Sequence, residues 1–198
     1  MAAADRLTLR VLRGDAIAPH LDALADLRIA VFRDWPYLYD GDAAYERRYL
    51  AAYAAPGAVV VGAFDGAAMV GAATAAPLER HDPDLARAVA AAGRDPASTY
   101  YLAESVLRPE WRGRGVGHRF FDLREAAARE GGFAVAAFCA VVRVGDHPAR
   151  PAGARTHNAF WRGRGYAPVP GAVATMRWRE VGRDAETDHR LQVWARDL

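Results

Sequence analysis

The sequence predicts a mixed α/β, or α+β, domain built around one sheet, and three observations carry that prediction. Apolar patterns run in the order strand, two helices, hairpin, strand, helix, strand, helix and two further strands. A glycine-rich turn after Arg108 joins a strand directly to a helix. The stretch Phe133 to Val142 is a continuous apolar run of strand length, as expected of a strand covered on both faces.

Each element has its own signal. Leu7 to Arg13 alternates apolar and polar residues, which predicts a first strand, and Asp15 offers a cap for the helix that follows. Ile17, Leu21, Leu24, Leu27 and Val31 recur at helical spacing up to the stop at Pro36. The link Arg33 to Asp42 is unusually aromatic for a loop and is a candidate pocket wall. A second helix from about Ala43 to Tyr53 would carry Tyr45 and Tyr49 on one face. Val59 to Phe64 and Ala67 to Ala72 flank Asp65-Gly66, which suits a type I′ hairpin turn. Asp82 to Ala92 reads as a short helix closed by Gly93 and Pro96, and Thr99 to Arg108 as a strand. Val116, Phe120, Leu123 and Ala127 mark the buried stripe of a helix that stops at Gly131-Gly132.

After the apolar strand, Arg143 to Gly153 is a loop rich in breakers, and Arg155 to Arg162 a short helix. Two strands are expected near Tyr166 to Val169 and Val173 to Val181. The tail 182–198 begins polar, but Leu191, Val193 and Trp194 predict that it docks, as an edge strand. The 198 residues fit one domain with a core at about 7–181. No run approaches the roughly 20 apolar residues of a membrane span, and Met1 to Asp5 lack the pattern of a secretory signal. A lone Cys139 has no internal disulfide partner, so a cytoplasmic location is expected.

All 26 basic residues are arginine. The absence of lysine excludes a Walker phosphate loop and Schiff-base chemistry. A formal net charge of +2 does not imply nucleic-acid binding.

Chemistry shows first at Arg112-Gly113-Arg114-Gly115-Val116-Gly117. A helix start has unpaired N–H groups and partial positive charge, and glycines let a phosphate approach the main chain. Arg112, Arg114 and Arg119 add positive charge; the alternative is a turn whose glycines serve geometry alone. A dinucleotide fingerprint fails because its third glycine falls on His118. The segment resembles instead the R-x-x-G-x-G pattern of the GNAT acetyltransferases, through Arg112, Gly115 and Gly117. Glu104 to Trp111 before it looks like that family's fourth strand and turn, and Ala159 to Tyr166 like its later helix and glycine-aromatic step.

The resemblance implies a GNAT-type mixed, twisted, mostly antiparallel sheet. Its fourth and fifth strands, here Thr99 to Arg108 and Phe133 to Val142, would splay around the pantetheine arm of acetyl-CoA. Backbone groups of Val106 and Leu107 would pair with that arm, and those of Arg112, Gly113, Arg114, Gly115, Val116, Gly117 and His118 with the pyrophosphate. By the same resemblance Glu104 is the candidate general base, and burial is expected to raise its pKa; pairing with an arginine is the alternative. The family's usual acid, a tyrosine, is replaced by Trp161. Tyr166 is a weak stand-in, with core packing as its other reading, and Tyr37 or Tyr39 could serve from the loop.

The acceptor pocket is expected between Trp35, Tyr37 and Tyr39 on one loop and Arg143 and His147 on the other. The activity implied is transfer of an acetyl group from acetyl-CoA to a primary amine of a small molecule or peptide, by direct attack in a ternary complex. No metal, membrane or nucleic-acid partner is implied, and the chain would be a monomer or homodimer. The other reading is a catalytically silent acyl-CoA-binding sensor or interaction module, motivated by Trp161.

Overall fold

The computed structural model describes residues 7–143 and 145–198; the expectations for Met1 to Asp5 and for Val144 within its loop lie outside the described residues. The alternating Leu7–Leu12 forms β1, antiparallel to β2 (Val59–Asp65), which in turn pairs antiparallel with β3 (Ala68–Pro77). The β2–β3 turn differs from the expectation. Its central residues are Gly66 and Ala67, with positive φ only at Gly66, which is a II′ rather than a I′ pattern. The predicted first helix opens as a 3-10 segment, Gly14–His20, which holds Pro19, and α1 proper is Leu21–Phe32. Proline has no N–H to donate back along an α-helix, so the regular helix starts after it.

The second helix, α2 (Ala43–Ala51), runs on as a 3-10 turn, Ala52–Ala54, and is capped by the Asp42 carboxylate, which accepts from the Tyr45 N–H at 2.8 Å. After β3 come α3 (Leu78–His81) and α4 (Pro83–Ala91), the latter capped by Asp82. The remaining elements are α5 (Val116–Glu130), β6 (Val135–Val141), α6 (Asn158–Gly163), β7 (Ala167–Arg179) and β8 (Glu186–Asp197).

The predicted strand Thr99 to Arg108 is two segments, β4 (Thr99–Tyr101) and β5 (Ser105–Leu107). Both pair antiparallel with β3, but the register moves by one residue between Ala76↔Tyr101 and Ala73↔Ser105. Ala103 and Glu104 both face Thr74: the Ala103 N–H donates to the Thr74 carbonyl and the Thr74 N–H to the Glu104 carbonyl, each at 3.0 Å. That is a β-bulge, and it bends the strand away from its other neighbour. β4 runs parallel to β6 for Thr99↔Val135 to Tyr101↔Ala137, and the last rung is Leu102 N–H to the Ala137 carbonyl at 2.8 Å. Beyond it β5 follows β3 and β6 follows β8, so a wedge opens in the sheet.

The sheet order is β1-β2-β3-β4-β6-β8-β7, with β5 beside β3. The tail is therefore not an edge strand: β8 is antiparallel to β6 on one side and to β7 on the other. Leu191, Val193, Trp194 and Ala195 are buried there, which supplies the physical reason for its central place. The two strands expected between Tyr166 and Val181 form the single β7, interrupted by an irregularity between Pro168 and Val173.

Alternation along the strands sorts the helices by face. Residues 72 and 76 of β3 pack with α1 and α2, and Ala137 and Cys139 of β6 with α4. Residues 70 and 73 of β3 and 136 and 138 of β6 pack instead with α5, Phe160 and Trp161.

Candidate active site

Two cavities meet at the wedge. One, of about 900 Å³, is lined by Leu102 to Ser105, Leu107, the glycine turn, Phe138 to Val141 and the α6 side chains Phe160 and Trp161. The other, of about 880 Å³, lies mainly on the opposite face, among Arg28, Tyr39, Tyr49, His81, Tyr101 and the β7–β8 hairpin. Phe32, Tyr37, Ala103, Glu104 and Cys139 line both.

The glycine turn brings main-chain N–H groups to an open helix start. Gly113 and Gly115 both have φ of 76°, in the left-handed region that favours glycine, and a side chain at either would point into open space. α5 has no side-chain cap and no acidic residue in its first turn. Its first N–H groups, those of Val116 and Gly117, have no carbonyl within the helix to bond, whereas the His118 N–H already donates to the Gly115 carbonyl at 3.1 Å and does not extend the cradle as expected. Arg112 and Arg114 fold back, Arg112 Nε donating to the Leu107 carbonyl at 3.1 Å and Arg114 Nη2 to that of Glu110 at 3.1 Å. His118 packs its ring edge against Phe160 and contacts Arg164.

The strand register corrects the expectation for the backbone groups of the fourth strand. Thr74 N–H bonds the Glu104 carbonyl and Arg108 N–H the Val70 carbonyl, so Val106, of the same parity, spends its N–H and C=O on Ala72. The groups that face the wedge belong to Ser105 and Leu107, and these two, not Val106, line the cavity.

Arg124 of α5 holds this arrangement from beneath. Only 1% exposed, it donates to the carbonyls of Phe120 (3.1 Å), Thr74 (3.2 Å) and Glu104 (3.0 Å) and to Ser105 Oγ (2.8 Å). It ties both strands of the bulge to the helix. Burial outweighs the pull of nearby Tyr166, Glu104 and Glu125 and lowers its pKa to about 10.

Glu104 sits at the junction with its side chain 10% exposed. Tyr49 Oη donates to its Oε1 at 2.5 Å, Tyr53 Oη lies 3.4 Å from Oε2, Thr74 Oγ1 donates to Oε2, and Arg28 pairs with Oε1. Arg28 also meets the fully buried Glu46 at 2.5 Å. Burial pushes the Glu104 carboxyl up, but Arg28 and the Thr74 and Tyr49 hydrogen bonds outweigh it and hold the carboxyl below its ordinary value. The expected rise is reversed because the carboxylate is buried with its counterion.

Tyr166 does not stand by the site. It is 1% exposed, lines neither cavity, donates to Glu125 Oε1 at 3.0 Å and packs on Phe121 and Phe138. Burial first, and Glu125 second, push its hydroxyl far up. Packing is its role here, and the candidate acid assignment fails on placement. Trp161 packs between Phe138 and Trp194.

The aromatic loop divides between the cavities: Trp35 faces the glycine-turn side, Tyr39 the other, Tyr37 both. Arg143 is spent on holding that loop, with Nε to the Pro36 carbonyl (2.6 Å), Nη2 to the Tyr37 carbonyl (2.9 Å) and Nη1 to Glu180 (2.5 Å). His147 packs on Trp35 and lines neither cavity. The cavity opposite the glycine turn is thus walled by α2, Asp82, Asp84 and the β7–β8 hairpin, not by the loop after Arg143 as expected. Cys139 is buried, and its thiol is pushed well up by burial, which suits packing rather than nucleophilic attack.

The sequence reading missed Arg28, Thr74, Tyr53 and His81. Among the described residues no three His, Cys, Asp or Glu side chains are grouped to hold a metal ion, and no helix is long and apolar enough to cross a membrane.

Comparison with known proteins agrees with this geometry. A family model described as the acetyltransferase (GNAT) family matches residues 23–155. No curated protein matches the chain. Among solved structures, a ribosomal-protein-alanine N-acetyltransferase from Brucella melitensis superposes with a TM-score of 0.64 at 16% identity, over 96% of this chain and 99% of that one. An acetyltransferase from Salmonella typhimurium, described with its cofactor acetyl-CoA, gives 0.62 at 16% identity, over 97% and 94%. The PaiA N-acetyltransferase of Thermoplasma acidophilum, in complex with coenzyme A, gives 0.53 at 11% identity, over 97% and 99%.

Proposed function

Since this chain belongs to the GNAT acetyltransferase family, we propose that it transfers an acetyl group from acetyl-CoA to a primary amine of a small molecule or peptide, by direct attack in a ternary complex. The observation that carries the reading is the junction: a cavity holding an anion cradle meets a second cavity at Glu104, through a gap in the sheet. Acetyl-CoA would lie with its pyrophosphate on the amides of the glycine turn and its pantetheine arm along Ser105 and Leu107. Its thioester would reach the residues shared by both cavities, and the amine would enter from the other face.

The residues at the junction divide the work. Glu104 with Glu46 formally outweighs Arg28, leaving one negative charge to attract an ammonium. Tyr37 would donate toward the thioester, and its fixed position at the junction supports that role: its ring packs on Phe32 and Trp178, and its carbonyl accepts from Arg143 and from Trp178 Nε1 (3.0 Å). Burial, with Cys139 and Glu104 nearby, pushes its hydroxyl up to about 12, so it stays protonated as a hydrogen-bond donor.

The test is release of free coenzyme from acetyl-CoA across a broad panel of amines, with Glu104→Gln alongside. Turnover with at least one amine is expected, reduced in the variant. A second reading, a silent acyl-CoA-binding module, draws on the pairing of Glu104 with Arg28 and on Trp161. Measurable acetyl-CoA binding with no release across the panel decides for it.

A further inference from the structure

Glu104 is poorly suited to keep a proton, since its surroundings favour the carboxylate. The structure nevertheless gives a proton somewhere to go. From Glu104 Oε1 to Tyr49 Oη is 2.5 Å, from Tyr49 Oη to Tyr53 Oη 3.2 Å, and from Tyr53 Oη to His81 Nε2 2.9 Å. These contacts form an unbroken hydrogen-bonded chain. Tyr53 is fully buried, while His81 lines the cavity opposite the glycine turn.

We propose that His81 is the terminal proton acceptor of the site, receiving the proton of the acceptor ammonium through Glu104, Tyr49 and Tyr53. This rests on the amine-acetylating reading above. The ammonium gives one proton to Glu104. Protonation turns Glu104 from acceptor to donor, so the Tyr49 hydroxyl, which donates to the carboxylate beforehand, rotates to accept this proton and passes its own to Tyr53, and Tyr53 passes its own to His81 Nε2. Glu104 is again a carboxylate, both tyrosines are again phenols, and His81 is an imidazolium. The amine lone pair then forms the C–N bond as the C–S bond breaks, and the second nitrogen proton goes to the departing sulfur. Charge favours this destination, because formally the Arg28, Glu46 and Glu104 group carries −1 and an imidazolium beside it neutralises the whole.

The groups facing His81 are Tyr49 and Tyr53 from α2 and its 3-10 extension, Tyr101 from β4, Glu104 from the bulge, Arg28 from α1, and Asp82 next in the chain. Burial leads in holding the imidazole below its ordinary value, while Glu104 and Asp82 pull it up. His81 is therefore held toward the neutral form, which can accept a proton.

His81→Gln preserves a polar side chain without a titrating ring; because Tyr49 Oη also lies 3.4 Å from His81 Nε2 and Tyr53 Oη 3.4 Å from Glu104 Oε2, the double variant Tyr49→Phe/Tyr53→Phe is the one that cuts every route. Both variants are expected to lower kcat/KM for the amine at pH 7 by about 10-fold or more. Both should leave the thermal shift with acetyl-CoA unchanged, and both should recover as pH approaches the amine's own pKa. A loss of equal size at every pH, or a wild-type profile, overturns the proposal. NMR titration of His81 gives a readout without turnover: in Glu104→Gln its pKa is expected to fall further, and no change overturns the network. A wild-type protein that acetylates no amine sinks the acetyltransferase reading instead, and the titration still decides whether His81 and Glu104 are coupled.

Discussion

Replacing Glu104 by glutamine takes away one of the two carboxylates that answer Arg28 and leaves the guanidinium paired with Glu46 alone. Losing a charge-assisted contact of this kind costs about 1.5–3 kcal/mol, measurable as a lower urea midpoint at pH 7. The folded carboxyl lies below its ordinary value, so the stability it contributes is complete above about pH 4.3. It is lost as pH falls through the lower folded value, so the gap between wild type and Glu104→Gln should close in acid. Tyr37→Phe removes the donor at the junction and is expected to lower kcat about 10-fold or more with KM for acetyl-CoA unchanged, read from steady-state kinetics. Glu104 and Tyr37 were legible as loop and strand residues in the right order. Their neighbours were harder to see. Arg28 stands four residues after Leu24 on the buried face of α1, where a charge is itself a signal. His81 carries no spacing that marks it, because its role comes from the fold bringing α3 beside α2 and the bulge.

At the scale of elements, the glycine turn and α5 were readable because phosphate-binding geometry has a local sequence cause. The bulge was not. One additional residue in an apolar strand changes register without changing pattern, so Thr99 to Arg108 read as one strand. Two substitutions test these elements. Gly115→Ala meets no neighbouring atom within 4 Å, so its cost comes from φ alone, about 1–2 kcal/mol. A turn that relaxes away from this strain should bind acetyl-CoA roughly tenfold more weakly, as calorimetry would show. Arg124→Met takes the second donor from the Thr74 and Glu104 carbonyls, which keep their backbone partners, and removes the donor to Ser105 Oγ. A loss of about 1.5–3 kcal/mol in urea unfolding is expected from the lost charge-assisted hydrogen bonds, and kcat should drop with it as the bulge loosens.

For the whole molecule, the two cavities on opposite faces of the sheet imply separate approaches for the two substrates. Initial-rate kinetics should give intersecting lines, with coenzyme A competitive against acetyl-CoA and noncompetitive against the amine. Parallel lines would contradict direct attack. The order of elements and the single sheet were visible in the sequence, since each depends on local pattern. The place of β8 was not, because apolar alternation announces a strand without naming its neighbours. That place has a consequence for how the protein is made. β6 and β7 do not pair with each other; both bond to β8, which the chain supplies after them. At about 5–20 residues per second on the ribosome, β6 waits roughly several seconds with one edge unsatisfied. During that interval the nascent chain exposes an apolar strand of alanine and valine around Phe138 and Cys139, and this is when a chaperone has something to hold.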